Sequence, residues 1–451
     1  MRKLFGGLKD QNFKYLVVML LFVVPLFPKF PLFSIPGSQV ALRLEDFVIF
    51  GVSLVWLWRE FPKIGRIFAD KITRSIVLFW AAGLVSLLSA LLISQTVSPH
   101  VATLHWVRRV EYMMAFFIGV SALRSKEELV FFVRALLLVA VYLFVVGIGQ
   151  KHFGWPVITT QNLEYAKGIA LRYEDGGHLV STFAGHYDLA TFLILVLPFW
   201  FVMFFSSEKF LPKGLERTRL LAVILMGLWL LVNTASRISI VSYVGATGLS
   251  LLLIRKYRAI VIMIVLSLVF VSFSSRLLER YDRIFQVVTE KISDRIGGMI
   301  EVSAASLPTQ MSGFVLGDVE IFEDRSTSIR LNMEWPRAVR ALTKNPLLGT
   351  GYSSITLATD NDYLRMLGEV GMLGFAAFGL IVVRIGTRLV VGFWRMKESL
   401  EKLYLAGMIG SLTGVGLNMV FIDILEASKF AMMFWLMMGF AVAMARNYEK
   451  N

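Results

Sequence analysis

A chain of 451 residues that is 56% hydrophobic and only 17% charged, with a mean hydropathy of +0.67, carries more apolar side chain than a soluble core of ordinary proportions can hide. It is read as an all-α polytopic membrane protein. The absence of cysteine excludes structural disulfides, thiolate catalysis and cysteine-based metal sites, and the net charge of +14 follows from loop topology rather than from nucleic-acid binding.

Apolar runs long enough to cross about 30 Å of hydrocarbon, the short ones borrowing flanking residues, predict twelve helices. In chain order they cover 15–34, 44–58, 75–94, 110–123, 128–148, 187–205, 219–233, 238–254, 259–274, 372–391, 403–421 and 430–446. Only the tetrapeptide TASR (234–237) separates the seventh from the eighth. No cleavable signal peptide is expected, because no small-residue cleavage site follows the first run and many further runs come after it. With the N-terminus inside, the inside segments hold 24 lysines and arginines, and the outside loops other than the longest hold 9. Cationic loops are retained in the cytoplasm, so both termini are expected there. Residues 1–274 then form spans one to nine, 275–371 an external loop domain and 372–451 spans ten to twelve.

Within the external loop, RLLERYDRIFQVVTEKISDRI (276–296) has Leu277, Tyr281, Ile284, Phe285, Val288 and Ile292 at helical spacing, which predicts an amphipathic helix on the membrane surface. Residues 297–327 show no period and are expected to be irregular. Helical spacing returns at Leu331, Trp335, Ala338, Val339 and Leu342, with Pro336 disturbing the first turn, and stops at Asn345-Pro346. No G-x-x-x-x-G-K-[ST], post-strand G-x-G-x-x-G or H-E-x-x-H occurs, which argues against ATP-driven transport by this chain alone.

Four polar groups fall at the external ends of spans: TASR with Arg237, Arg330 in RSTSIRLNMEW, the cluster Asp360-Asn361-Asp362, and STFAGHYD (181–188) with His186. Each also has a plain structural reading. Arg237 could be an interfacial anchor, Asp360 a helix cap and His186 a satisfied interfacial histidine. Arg134, six residues into the fifth span, is read as snorkelling.

Taken as an ordered set, TASR (234–237), STSIRLNMEW (326–335), NPLLGTG (345–351), NDYL (361–364) and EVGMLG (369–374) resemble the O-antigen ligase/polymerase family over roughly residues 180–445. The resemblance implies a GT-C-type membrane glycosyltransferase of the bacterial inner membrane. Such enzymes transfer a glycan from an undecaprenyl-pyrophosphate donor to an acceptor hydroxyl on the periplasmic face. It implies Arg237 and Arg330 as the matching arginines that stabilise the departing pyrophosphate, which their planar forks can do without a metal. Asp360 is placed as the group that accepts the acceptor proton. Asn361, Asp362, Tyr363, His186, Arg172 and Glu369 are expected to complete the substrate-binding site, with no cofactor. The D-x-D spelled by Asp360 and Asp362 leaves a divalent cation on the donor phosphate as a rival reading.

The family's ligases usually carry histidine where this chain has Asp360, whereas polymerase-like members show an aspartate-type motif, a style that Asp423-Ile-Leu-Glu-Ala-Ser-Lys429 also fits. The favoured reading is a polymerase of polyprenyl-linked repeat units for O-antigen, capsule or exopolysaccharide. A ligase acting on lipid A-core is the alternative, and a polyprenyl-glycan transporter or non-catalytic membrane partner is the second. The expected partners are the lipid-linked glycan donor and acceptor, membrane lipids and a chain-length regulator, with no nucleic acid.

Overall fold

The computed structural model describes residues 10–30, 32–34, 41–158, 171–174, 177–213, 215–272, 328–355 and 359–449. The long helices are α1 (Asp10–Leu26), α2 (Leu44–Glu60), α3 (Lys71–Ser89), α4 (Pro99–Ala122), α5 (Lys126–Phe153), α6 (His186–Phe204), α7 (Arg217–Asn233), α8 (Arg237–Leu253) and α9 (Tyr257–Ser272). After them come the shorter α10 (Trp335–Lys344) and then α11 (Asp362–Arg395), α12 (Leu400–Asn418) and α13 (Ser428–Glu449). A strand pair of two residues each, Phe33–Ser34 with Ala41–Leu42, is an antiparallel clip before α2. Apart from this clip the described residues build an all-helical architecture.

A helix lies at each of the twelve predicted segments, and among the described residues five stretches are long and apolar enough to cross a membrane: Lys71–Ser94, Lys126–Phe153, His186–Phe204, Asp362–Arg395 and Ser428–Arg446. Helices α6 and α13 are apolar all round and are buried along 189–203 and 428–445, so they form the centre of the bundle. By contrast, α9 leaves Val261, Ile262, Val265 and Leu268 exposed, as a helix facing lipid would. The predicted amphipathic helix 276–296, the irregular stretch 297–327 and the motif residue Ser326 lie outside the described residues.

Two local departures from expectation matter for the site. Pro336 sits in the first turn of α10, where its missing N–H costs little, and it is preceded by a π-helical turn, Arg330–Glu334, that carries the motif arginine. The predicted start of the tenth span at 372 coincides with a helix start at a break, but a further helical segment precedes it. Helix α11 begins at Asp362 and breaks at Gly371, whose φ of 68° and ψ of −174° belong to a region open essentially only to glycine.

The break is filled by the NPLLGTG loop. Backbone N–H groups of Thr350 and Gly351 donate to the carbonyls of Gly368 and Glu369, each at 2.9 Å, and Met372 and Leu373 donate to the carbonyls of Pro346 (2.9 Å) and Leu347 (3.1 Å). An interrupted helix inside an apolar bundle orphans these groups, and the loop satisfies them. Gly349 (φ 70°) lies against the same corner, where an added Cβ would stand 2.5 Å from the Glu369 backbone.

Candidate active site

The cluster at 360–362 splits its three side chains among three tasks. Asn361 caps α11, its Oδ1 accepting from Leu364 N at 2.9 Å, so asparagine rather than Asp360 is the cap. Asp362 is buried, its Oδ2 accepting from Ile424 N (2.9 Å) and Leu425 N (3.2 Å). Asp423 returns the favour: it accepts from Thr359 N at 2.7 Å, Asn361 N at 2.9 Å and Arg365 Nη1 at 3.0 Å. Each aspartate thus fastens the other's backbone. Between the two fastened amides, Asp360 adopts a left-handed φ of 48° and turns its carboxylate elsewhere.

That carboxylate meets Arg330. Nε and Nη2 of Arg330 both donate to Asp360 Oδ2, at 3.0 and 2.7 Å, and Nη2 also reaches the Tyr187 hydroxyl at 3.4 Å. Burial holds the Asp360 carboxyl above the ordinary aspartate range, and Arg330 opposes the shift. One turn on from Arg330, Glu334 is pushed up to about 7 by burial and then by Asp360, with Asp423 adding to the rise and Arg330 and Arg337 opposing it. Its Oε2 is buried without a hydrogen-bond partner.

Tyr187 links this pair to the other predicted residues. The ring of His186, first residue of α6, lies 4.0 Å from the Tyr187 ring and stacks on His178 at 4.1 Å. His178 Nδ1 is 2.9 Å from the Thr234 carbonyl, which can only accept, so Nδ1 carries the proton. Thr234 opens the turn that ends at half-buried Arg237, the first residue of α8. Arg237, His186 and Arg330 therefore gather at one end of the bundle, where α7 ends and α6, α8 and α11 begin.

Three expected residues have other surroundings. Arg172 is exposed beside the isolated bridge Val157–Leu171, and no described contact joins it to the Arg330 group. The Tyr363 hydroxyl donates to the Gly416 carbonyl at 2.8 Å. Glu369 is buried behind the break with Arg365 Nε 3.5 Å from its Oε1, and both line a cavity of about 30 Å³, too small for a sugar. Asp360 and Asp362 face different partners and do not form one ligand pair. Among the described residues no cluster of three or more carboxylates or histidines could hold a metal.

Reasoning from sequence missed Tyr187, His178, Glu334 and Arg365. Glu334 could have been found from its four-residue spacing to Arg330, which stacks the two on one helical face. The partnership of Asp423 with the 359–361 backbone left no local signal.

Fold and site together define an all-helical membrane protein with an arginine–carboxylate pair at the ends of apolar helices. Residues 221–379 match the model of the O-Antigen ligase family, which supports the O-antigen ligase/polymerase family for this chain and implies a glycosyltransferase-type activity on lipid-linked glycans. The match includes Arg237, Arg330, Asp360, Asn361, Asp362, Tyr363 and Glu369; His186 and Arg172 precede it and Asp423 follows it. No curated protein matches the chain.

Proposed function

We propose that the protein is a membrane glycosyltransferase that polymerises undecaprenyl-pyrophosphate-linked repeat units at the end of the bundle holding Arg330 and Asp360. The observation that carries this reading is their ion pair, 2.7 Å long, inside the matched segment. A donor pyrophosphate offers Arg330 a stronger partner than one carboxylate. Arg330 then shifts to the phosphate, and Asp360 is released to act as a base where the acceptor arrives. The acceptor hydroxyl gives its proton to Asp360, its oxygen bonds to the anomeric carbon, and the bond from that carbon to the phosphate oxygen breaks. Polyprenyl pyrophosphate leaves with its charge on Arg330 and Arg237. Twelve spans, cytoplasmic termini and a periplasmic site complete the proposal, supported by the loop charges.

The test is transfer by the purified protein in proteoliposomes. With lipid-linked repeat units as the only substrate, a ladder of lipid-linked oligomers is expected. A single transfer that requires lipid A-core would establish the ligase alternative, and no transfer with either acceptor would sink the enzymatic reading.

A further inference from the structure

At the other end of the bundle, α5 and α7 enclose a groove of about 590 Å³. The two ends of the 17-residue α7 are separated by about 25 Å, so this groove is remote from Arg237 and from the pair Arg330–Asp360. Its floor is apolar, formed by Leu138 and Val141 from α5 with Ala222 and Met226 from α7. Its rim carries three cations: Arg134, Lys213 and Arg219.

Arg134 lies about two turns inside α5, where a cation facing lipid is costly unless it finds an anion or reaches the interface. Simple snorkelling would send the guanidinium outward. Here Nη2 donates to the Lys213 backbone carbonyl, so the side chain folds across the mouth of the groove toward the other two cations. At this rim Glu216 pairs with Arg219 at 3.0 Å, both side chains being more than half exposed. Three positive groups at the rim, above an apolar floor between membrane helices, match a phosphate with a hydrocarbon chain attached.

We infer that this groove binds an anionic phospholipid of the surrounding bilayer, its phosphate held by Arg134, Lys213 and Arg219 and one chain lying along Leu138, Val141 and Met226. The floor explains why free phosphate is not the ligand: a headgroup alone leaves the apolar part of the groove unfilled.

The test is native mass spectrometry of the full chain released from nanodiscs that mix dioleoylphosphatidylglycerol with dioleoylphosphatidylcholine. The wild-type protein is expected to retain phosphatidylglycerol at least about tenfold over phosphatidylcholine. Each cation contributes about fivefold, so Arg134→Gln with Lys213→Gln and Arg219→Gln should reduce retention by up to about a hundredfold. Val141→Trp keeps the cations but fills the floor, and it should also reduce retention. Equal retention of the two lipids by the wild-type protein overturns the inference without any variant. So would displacement of the lipid by millimolar inorganic phosphate, unchanged retention in Val141→Trp, or a preference for polyprenyl phosphate over phosphatidylglycerol.

Discussion

Replacing Asp423 by asparagine tests whether the Asp360 loop is held from below. The aspartate makes three bonds, with Thr359 N and Arg365 Nη1 on Oδ2 and Asn361 N on Oδ1, and its side chain is only 10% exposed. Asparagine has the same shape but one oxygen. In its better orientation that oxygen replaces Oδ2 and keeps two bonds, the one from Thr359 N now neutral and the one from Arg365 charged on the donor alone, while the amide NH2 faces the Asn361 N–H and that bond is lost. A bond to a charged group contributes about 1.5–3 kcal/mol and a neutral one about 1 kcal/mol, so losing the Asn361 bond and neutralising the Thr359 bond removes about 2–5 kcal/mol from the loop. Amide exchange at Thr359 and Asn361 should then quicken by about 30- to 5000-fold, while amides in the centres of α6 and α13 keep their protection. Glycan transfer should fall by about a hundredfold, since about 1 Å of misplacement costs that much. Hydrogen exchange read by mass spectrometry with overlapping peptides, beside the proteoliposome assay, measures both. Unchanged exchange across 359–361 together with wild-type transfer would show that Asp423 does not position Asp360.

Arg330→Ala, expressed at normal levels, should lose about 30- to 1000-fold in transfer, the equivalent of about 2–4 kcal/mol of transition-state stabilisation, and Arg330→Lys should recover little of it because it cannot form the two-pronged contact; wild-type rates would make Arg330 an anchor only. Glu334, raised to about 7, is neutral below that pH and gains a negative charge beside Asp360 as pH rises through it, so the donor KM should rise above about pH 7 in the wild-type enzyme and stay flat in Glu334→Gln; parallel profiles would exclude the role. Gly371→Ala puts a Cβ 2.4 Å from the Leu347 carbonyl oxygen and strains φ, and it should lower the melting temperature and free the 346–351 amides to exchange; a variant as stable as wild type would contradict the loop's docking. A periplasm-only reporter fused near Lys213 should be silent and one near Gly313 active, and the reverse pattern would invert the proposed orientation.

The helices of the bundle were legible because each holds an apolar run, which hydropathy marks even where it is too short to stand as a span, whereas α10 was legible only from its helical spacing. The seam at 371/372 was legible as a change in composition, but not as a break between two helical segments, because backbone groups 18 and 26 residues apart close it and no side-chain pattern announces them. Asp360 and Asp362 are the same residue type two positions apart, and sequence could not tell which faces Arg330. What separates them is the fastening of 359–362 to 423–425, a tertiary contact across α12. Arg134 shows the same limit: its spacing reads as snorkelling, while the groove beside it depends on how α5 meets α7.

The lock between the NPLLGTG loop and the break in α11 fixes chain length more tightly than it fixes chemistry. Its donors at 350 and 351 stand four residues after its acceptors at 346 and 347, and their partners at 368 and 369 stand four residues before 372 and 373. Leu347 is exposed, and its side chain can be exchanged at small cost. One residue added between 347 and 350, or between 369 and 372, throws half of the bonds out of step and turns the following segment by about 100°. Single-residue insertions and deletions should therefore find a barrier at this corner even beside Leu347, where alanine substitution of the exposed side chain largely passes over it.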